Sequence, residues 1–277
     1  MKLRQAILPV AGLGTRFLPW TKVVPKELLP IGNQPIIALL VDECMSVGIT
    51  DICFVISKGK EAIPQYFQSH PELEKTLAKK GKSDALKELN RYDNVRFSVV
   101  YQDEQHGDGH AILQAAPWVK DDVIAILFGD DLISGAEHSG LKQLANAYAQ
   151  VQESLEEGSP LPAILSLENV PRELVNKYGI VDVSAHAPRL HRVKGLVEKP
   201  HPNDAPSTLG IVGKYLIPRS TIDLLPSVTS GHGGEIRLID ALKAQLKTTP
   251  IFGYEFLGKR FDTGTPEGYK EAVHALG

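Results

Sequence analysis

Two stretches of this chain carry residue types suited to phosphate and metal. The first is Gln5-Ala-Ile-Leu-Pro-Val-Ala11-Gly12-Leu13-Gly14-Thr15-Arg16, with Pro25-Lys26-Glu27 following shortly after. An apolar strand that runs straight into a glycine-bearing turn leaves backbone N–H groups unshielded, and Arg16 and Lys26 add positive charge, so the segment is expected to hold phosphate groups of a nucleotide. It is not a dinucleotide fingerprint, because Phe17 stands at the third glycine position and Pro19 forbids a smooth helix. Neither glycine leads to the Gly-Lys-Ser/Thr ending of an NTPase phosphate loop. The second stretch is Val123-Ile-Ala-Ile-Leu-Phe-Gly-Asp130-Asp131, a buried-strand pattern ending in two carboxylates. Ligands of open α/β sheets collect at the carboxyl ends of the strands, which is where both stretches place their polar residues. Hard oxygen ligands beside phosphate imply Mg²⁺, which keeps several waters and uses one or two carboxylates. Taken alone, an Asp-Asp pair after a strand equally serves as a turn or a helix cap.

Further constellations follow along the chain: Gln102 with Gly107-Asp108-Gly109-His110, Lys177-Tyr178-Gly179, Val197-Glu198-Lys199-Pro200, Gly233-Gly234-Glu235-Ile236-Arg237-Leu238, and Phe261-Asp262-Thr263-Gly264. Each has a plainer reading. Gln102 at a strand end is commonly exposed, His110 starts a helix or sits in a core, and no catalytic role is assigned to it. Glu198 and Lys199 form a surface ion pair if nothing else engages them. Glu235 and Arg237 either pair on a helix surface or support a pocket.

The elements that must position these residues alternate. Apolar runs at 5–10, 51–56, 95–101, 123–128 and 162–167 read as strands, with helical patterns between them. Such alternation predicts an α/β fold with a doubly wound, mostly parallel, Rossmann-like sheet carrying helices on both faces. Residues 35–47 read as a helix that opens at Pro35 and stops at Gly48. Residues 72–90, rich in Lys and Glu and broken at Gly81, read as a solvated insertion or a partner-contacting helix pair. After Tyr178 short β-like runs at 179–183, 191–198 and 209–217 predict an added β-rich region beside the first half, with the second substrate between them. A helix over 234–247, a strand over 251–257 and a closing helix over 266–275 complete the chain.

Length and composition narrow the class of function. At 277 residues the chain fits one domain over 1–277, with a nucleotide-binding half at 1–170 and a second half at 171–277. A formal net charge of −3 with 23% charged residues gives neither a nucleic-acid surface nor a polybasic membrane patch. Small molecules are therefore the expected partners. No apolar stretch approaches the ~20 residues that span a bilayer, and a cytoplasmic enzyme is expected. The two cysteines, Cys44 and Cys53, lie in apolar patterns and read as buried free thiols.

In order and spacing, the motifs from Gln5 to about Ala272 resemble those of the nucleotidyltransferases that make nucleotide sugars, most closely the bacterial UTP:glucose-1-phosphate uridylyltransferases. The resemblance implies that Ala11, Gly12, Leu13, Gly14, Thr15 and Arg16 form the loop around the nucleotide phosphates, with Lys26 contacting them. It implies that Gln102 reads the uracil edge, that Gly107 lies in the loop closing over the base, and that Asp130 and Asp262 hold the metal. Gly179, Glu198 and Lys199 match the sugar side: a backbone contact, a carboxylate accepting sugar hydroxyls, and a lysine facing the sugar phosphate. Arg16, Lys26 and Lys199 then carry the catalytic charge. The implied reaction makes UDP-glucose and pyrophosphate from UTP and glucose 1-phosphate with Mg²⁺, in a homodimer or homotetramer. The alternatives are a dTTP- or other-sugar-specific relative and a non-catalytic nucleotide-sugar sensor. Three positions depart from the resemblance: Asp108 where leucine is common, Phe128-Gly-Asp-Asp in place of the more usual proline before the metal aspartate, and Asp262-Thr-Gly-Thr, which reads more like the deoxythymidylyl branch.

Overall fold

The computed structural model of the chain describes residues 3–228 and 234–277. Gly233 of the 233–238 motif lies outside the described residues. β1 (Gln5–Pro9) runs into the glycine turn, and a short ladder of β2 (Pro30–Ile31) and β3 (Gln34–Pro35) precedes α1 (Ile36–Ser46). β4 (Asp51–Ile56) is joined through α2 (Ala62–Gln65), α3 (Pro71–Lys79) and α4 (Ser83–Leu89) to β5 (Arg96–Tyr101). Then come α5 (Asp108–Gln114), β6 (Val123–Leu127), β7 (Asp131–Ser134), α6 (Gly140–Ser154) and β8 (Ala163–Asn169). A hairpin of β9 (Gly179–Ala187) and β10 (Leu190–Glu198) leads to β11 (Leu209–Pro218), α7 (Arg219–Leu224) and α8 (Leu238–Gln245). β12 (Ile251–Glu255), β13 (Lys259–Asp262) and α9 (Pro266–Leu276) close the chain.

Among the described residues, nine strands form one sheet in the order β5-β4-β1-β6-β11-β8-β12-β10-β9. Its first four strands are parallel, with Ile7 opposite Cys53 and Ala6 opposite Ala125. Strand side chains alternate between faces, so each buried strand feeds two cores. Ala6 and Leu8 of β1, with Ile52, Phe54 and Ile56 of β4, pack with α1, α6 and α9. Ile7, Cys53 and Val55 face the other way and pack with α5, α7 and α8. Helices therefore cover both faces, as the alternation predicts. The helix ends follow local chemistry: Thr265 caps α9 by accepting from the Gly268 N–H at 3.1 Å ahead of Pro266, and Ser139 caps α6 through the Lys142 N–H at 3.3 Å.

Two expectations are corrected. The sheet is mixed rather than mostly parallel, because β11 lies antiparallel between β6 and β8, and β10 lies antiparallel between β12 and β9. The β-rich second half is not a separate region beside the first: β11 enters the middle of the sheet directly against β6. An apolar run announces a buried strand but carries no sign of its direction or its neighbours, so both features depend on tertiary pairing. The 72–90 segment does form two surface helices, α3 and α4, neither of which contains a buried residue.

Strand order reverses between β1 and β6, since β4 and β5 extend from one side of β1 and β6 from the other. The carboxyl ends of these two strands carry Ala11-Gly12 and Gly129-Asp130. A cleft opens at such a reversal because the connections leave in opposite directions.

Candidate active site

A cavity of about 400 Å³ lies over that reversal, lined among others by Ala11, Gly12, Lys26, Gln102, Gly107, Asp130, Glu198 and Lys199. A second hollow of about 190 Å³ adjoins it and shares Asp108, Glu198, Lys199 and Arg237 with it, adding Lys177, Tyr178 and Gly179. A third, of about 670 Å³, brings Arg16 and Asp262 together with Lys177 and Lys199. Lys199 lines all three. Leu13, Gly14 and Thr15 line none of them and sit on the outer part of the loop, where Leu13 is 63% exposed.

At the end of β6 the two neighbouring aspartates separate. Asp130 Oδ2 accepts from Lys26 Nζ at 2.6 Å. Burial opposes the charge on Lys26, but Asp130, Glu27 and Asp262 outweigh it and hold the ammonium above the usual lysine range. Asp131 turns away: Oδ1 accepts from Arg260 Nη1 at 2.6 Å, Oδ2 from the Gly213 N–H at 2.8 Å, and its carbonyl from Lys214 Nζ at 3.0 Å. Its carboxylate is therefore committed to the protein, leaving Asp130 for a ligand. Asp262 reaches the same place from β13. A β-carbon built on Gly264 would lie 2.6 Å from Asp130 Oδ2 and 3.0 Å from Asp262 Oδ1, so both oxygens converge on the face of that glycine. Arg16 Nη1 donates to the Gly264 carbonyl at 3.3 Å, placing its charge next to the pair. Among the described residues no cluster of three or more His, Cys, Asp or Glu forms a protein-only metal cage. Two hard carboxylates brought together at the cleft fit Mg²⁺, which takes its remaining ligands from water and substrate.

After β5, Gln102 is 3% exposed, not the solvent-facing strand end that its position suggests. Its Nε2 donates to the Gly107 carbonyl at 3.0 Å. The loop containing Gly107 lies directly against the segment before α8: the Ile236 N–H donates to His106 O at 2.8 Å, and the His110 N–H to Ile236 O at 3.2 Å. A β-carbon on Gly107 would meet Ile236 O at 2.5 Å, and one on Gly109 would meet the Arg237 carbonyl carbon at 2.8 Å. Both glycines are required by this close approach, and Gly107 also has φ of +98°. Asp108 completes the latch: Oδ1 accepts from the Leu238 N–H at 3.0 Å and the Gly109 N–H at 2.6 Å. The surrounding protein pushes its pKa up, opposed by those two N–H groups. Leucine could not make these bonds, so the departure at this position joins α5 to the start of α8.

At the end of β10, Glu198 and Lys199 would point to opposite faces if the strand continued. Lys199 instead has φ of +46°, held by its N–H donating to Tyr178 O at 3.0 Å, and both side chains line the same cavities. A β-carbon disfavours this left-handed backbone, so surrounding contacts must hold it. Lys199 Nζ lies 3.2 Å from Glu198 Oε1, and Arg237 pairs with Asp240 at 2.9 Å while standing 3.9 Å from Glu198. Arg237 thus supports the pocket and a helix pair at once, and Glu235 lines the cavity of about 400 Å³.

Several site-supporting residues escape sequence reasoning. Lys60 Nζ reaches both oxygens of Glu27, at 3.0 and 2.9 Å, and the Val10 carbonyl at 2.7 Å, bracing the end of β1 from below. Burial pushes Glu27 up and Lys60 down, and each charge partly offsets the other's shift. Arg260 joins Asp131 to Glu168 Oε2 at 2.6 Å and to the Tyr178 hydroxyl at 2.7 Å, tying the end of β6 to the second hollow. Gln105 Nε2 donates to Ala11 O at 3.3 Å. Only Lys214 has a visible signal, a lone lysine within the apolar run of β11. Fully buried, it pairs with Glu43 at 2.7 Å.

Comparison with known proteins agrees with this architecture. The chain is 39% identical over 269 residues to the UTP–glucose-1-phosphate uridylyltransferase of Bacillus subtilis, covering 97% of this chain and 89% of that protein. It is 38% identical over 274 residues to the Pseudomonas aeruginosa protein of the same name, covering 98% and 95%. A solved UDP-glucose pyrophosphorylase in complex with UDP-glucose superposes with a TM-score of 0.86 at 35% identity, covering 99% of this chain and 98% of that one. A UTP-bound UGPase from Acinetobacter baumannii superposes with a TM-score of 0.88 at 36% identity, covering 99% and 93%. The family model described as nucleotidyl transferase matches residues 5–277, and the chain belongs to that family.

Proposed function

We infer that this protein is a uridylyltransferase that joins UTP and glucose 1-phosphate to give UDP-glucose and pyrophosphate. The observation that carries the reading is the convergence of phosphate-, base- and sugar-type residues on one cleft: Gly12, Lys26, Gln102 and Asp130 with Glu198 and Lys199. The names of the nearly full-length relatives support the same substrates.

A phosphate nucleophile is already ionised at neutral pH, so the reaction needs no general base. An oxygen of glucose 1-phosphate attacks the α-phosphorus of UTP in line. The bond from that phosphorus to the oxygen bridging to the β-phosphorus breaks, and pyrophosphate leaves with the electron pair. The work of the site is to align two polyanions and offset their repulsion. Lys26 and Arg16 supply charge on the nucleotide side, and Lys199 on the sugar-phosphate side. Backbone N–H groups of the Ala11–Arg16 loop bind the phosphates, Glu198 accepts from sugar hydroxyls, and Gly179 offers a backbone contact beside it. Asp130 and Asp262 would hold Mg²⁺, which neutralises phosphate oxygens when bound. One phosphoanhydride replaces another, so the reaction is readily reversible and passes through no covalent enzyme intermediate.

The same reading includes a nucleotide half at 1–170, a sugar half at 171–277, and a cytoplasmic homodimer or homotetramer; light scattering reads the assembly. No helix among the described residues is long and apolar enough to cross a membrane. The deciding assay is pyrophosphate release with glucose 1-phosphate and UTP, dTTP, CTP, ATP or GTP, with an EDTA control. UTP preference abolished by EDTA is expected. Preference for dTTP would move the assignment to thymidylyl transfer, and no release with any nucleotide would overturn it.

A further inference from the structure

Gln102 is an amide, and an amide can present either its oxygen or its nitrogen to a base. Hydrogen-bond accounting decides which one faces the cleft. Nε2 lies 3.0 Å from the Gly107 carbonyl, which can only accept, so the nitrogen is fixed on that side. The same Nε2 lies 3.1 Å from His110 Nδ1. Its second hydrogen has that lone pair as its partner, which requires His110 to be neutral with its proton on Nε2. His110 Nε2 lies 3.0 Å from Gln114 Nε2, one helical turn along α5, which also stands 3.4 Å from the His110 carbonyl; a neutral ring cannot accept at both nitrogens, so the Gln114 amide must turn its oxygen to the ring N–H and give up that long contact. The relay runs Gly107 O, Gln102, His110, Gln114. Both hydrogens of Gln102 Nε2 are then used, and Oε1 is left to the cavity that Gln102 lines.

We propose that His110 is a positioning residue for base selection: it locks Gln102 with its oxygen toward the nucleotide, so that the site accepts a base with an imide N–H, such as uracil, and rejects cytosine. Cytosine carries a lone pair where uracil carries N3–H, so it would face the locked oxygen with no hydrogen between them. Without His110, only the bond to Gly107 opposes rotation of the amide. The inference rests on the uridylyl reading, but it concerns the direction of one side chain and can be tested without turnover.

The experiment measures UDP and CDP binding by calorimetry to the wild type, His110→Leu and His110→Asn. In His110→Leu the UDP:CDP affinity ratio is expected to fall about tenfold, the loss of roughly one hydrogen bond. His110→Asn, whose amide oxygen can replace Nδ1 as acceptor, is expected to stay within about threefold of wild type. In turnover, His110→Leu should raise KM for UTP, leaving kcat and KM for glucose 1-phosphate within about twofold. A merely structural histidine would weaken both nucleotides together, so an unchanged ratio in His110→Leu, or an Asn variant that falls with it, overturns the proposal. Should His110→Leu fail to fold, imidazole ¹⁵N shifts of the wild type give an independent reading, assigned by difference from His110→Asn. The Nε2–H tautomer is expected, and an Nδ1–H tautomer overturns the lock. A wild type that turns over no UTP would instead remove the uridylyl reading, while the tautomer would still test the lock.

Discussion

Asp130 and Asp131 are neighbours in the chain and carry the same functional group, yet the structure assigns them opposite dependencies. Asp131→Asn strikes a buried pair in which the Asp131 and Arg260 side chains are 14% and 9% exposed. An asparagine keeps one acceptor, so its NH₂ must face either the guanidinium or the Gly213 N–H, donor against donor. Breaking one side of a buried pair costs about 3–5 kcal/mol, and the lower end applies because Glu168 still holds Arg260. Unfolding entropy of about 2.1 cal/mol/K per residue gives about 0.6 kcal/mol/K for a chain this long, so the melting temperature should fall by about 5 °C. Turnover measured well below the melt should stay within about fivefold of wild type. Asp130→Asn strikes a pair that is more open, with Asp130 31% exposed, and its stability cost should be under about 1 kcal/mol, or about 2 °C. It removes charge from the proposed metal site, and turnover should fall by about 10²–10³-fold. Thermal melts and pyrophosphate release on both variants make the test. Loss of turnover in Asp131→Asn with an unchanged melt, or an active Asp130→Asn, would refute the assignment.

Gly109→Ala should drive a methyl group into the Arg237 backbone and cost about 1–3 kcal/mol; KM for both substrates should rise together, because the latch joins the two sides of the cleft. Lys60→Met strands Glu27, which is 1% exposed, and should cost about 3–5 kcal/mol in denaturant titrations, whereas Lys60→Met with Glu27→Leu should recover most of that loss. Burial pushes the Cys53 thiol up to about 12 from an ordinary value near 9.0, and Cys44 higher still. Both thiols should therefore ignore thiol reagents at pH 8 in the folded protein and react once it is denatured. Because the folded pKa is raised, the stability linked to Cys53 is fully present below the unfolded thiol value and is lost as pH rises toward 12. Wild type should accordingly lose more stability than Cys53→Ala between about pH 9 and pH 11; an equal loss would contradict the burial argument.

The sequence by itself determined what is local. Apolar runs of strand length, the glycine turn after β1 and the capped helix starts each depend on residues a few positions apart, so those strands, helices and the turn were legible. The charged and polar residues at the carboxyl ends of β1 and β6 were legible as a candidate site for the same reason. Tertiary structure alone decided what depends on distant partners. The direction of β11 follows from its pairing with β6 and β8, and nothing in an apolar run encodes polarity. Asp130 and Asp131 are indistinguishable until Arg260 and Gly213 engage one of them. Lys60 with Glu27 and Lys214 with Glu43 neutralise each other in the interior, where an unpaired charge would be costly, and such partners are found only when the chain has folded. Gln102 looks like an exposed strand end in one dimension and becomes a buried, oriented amide only when Gly107 and His110 close around it.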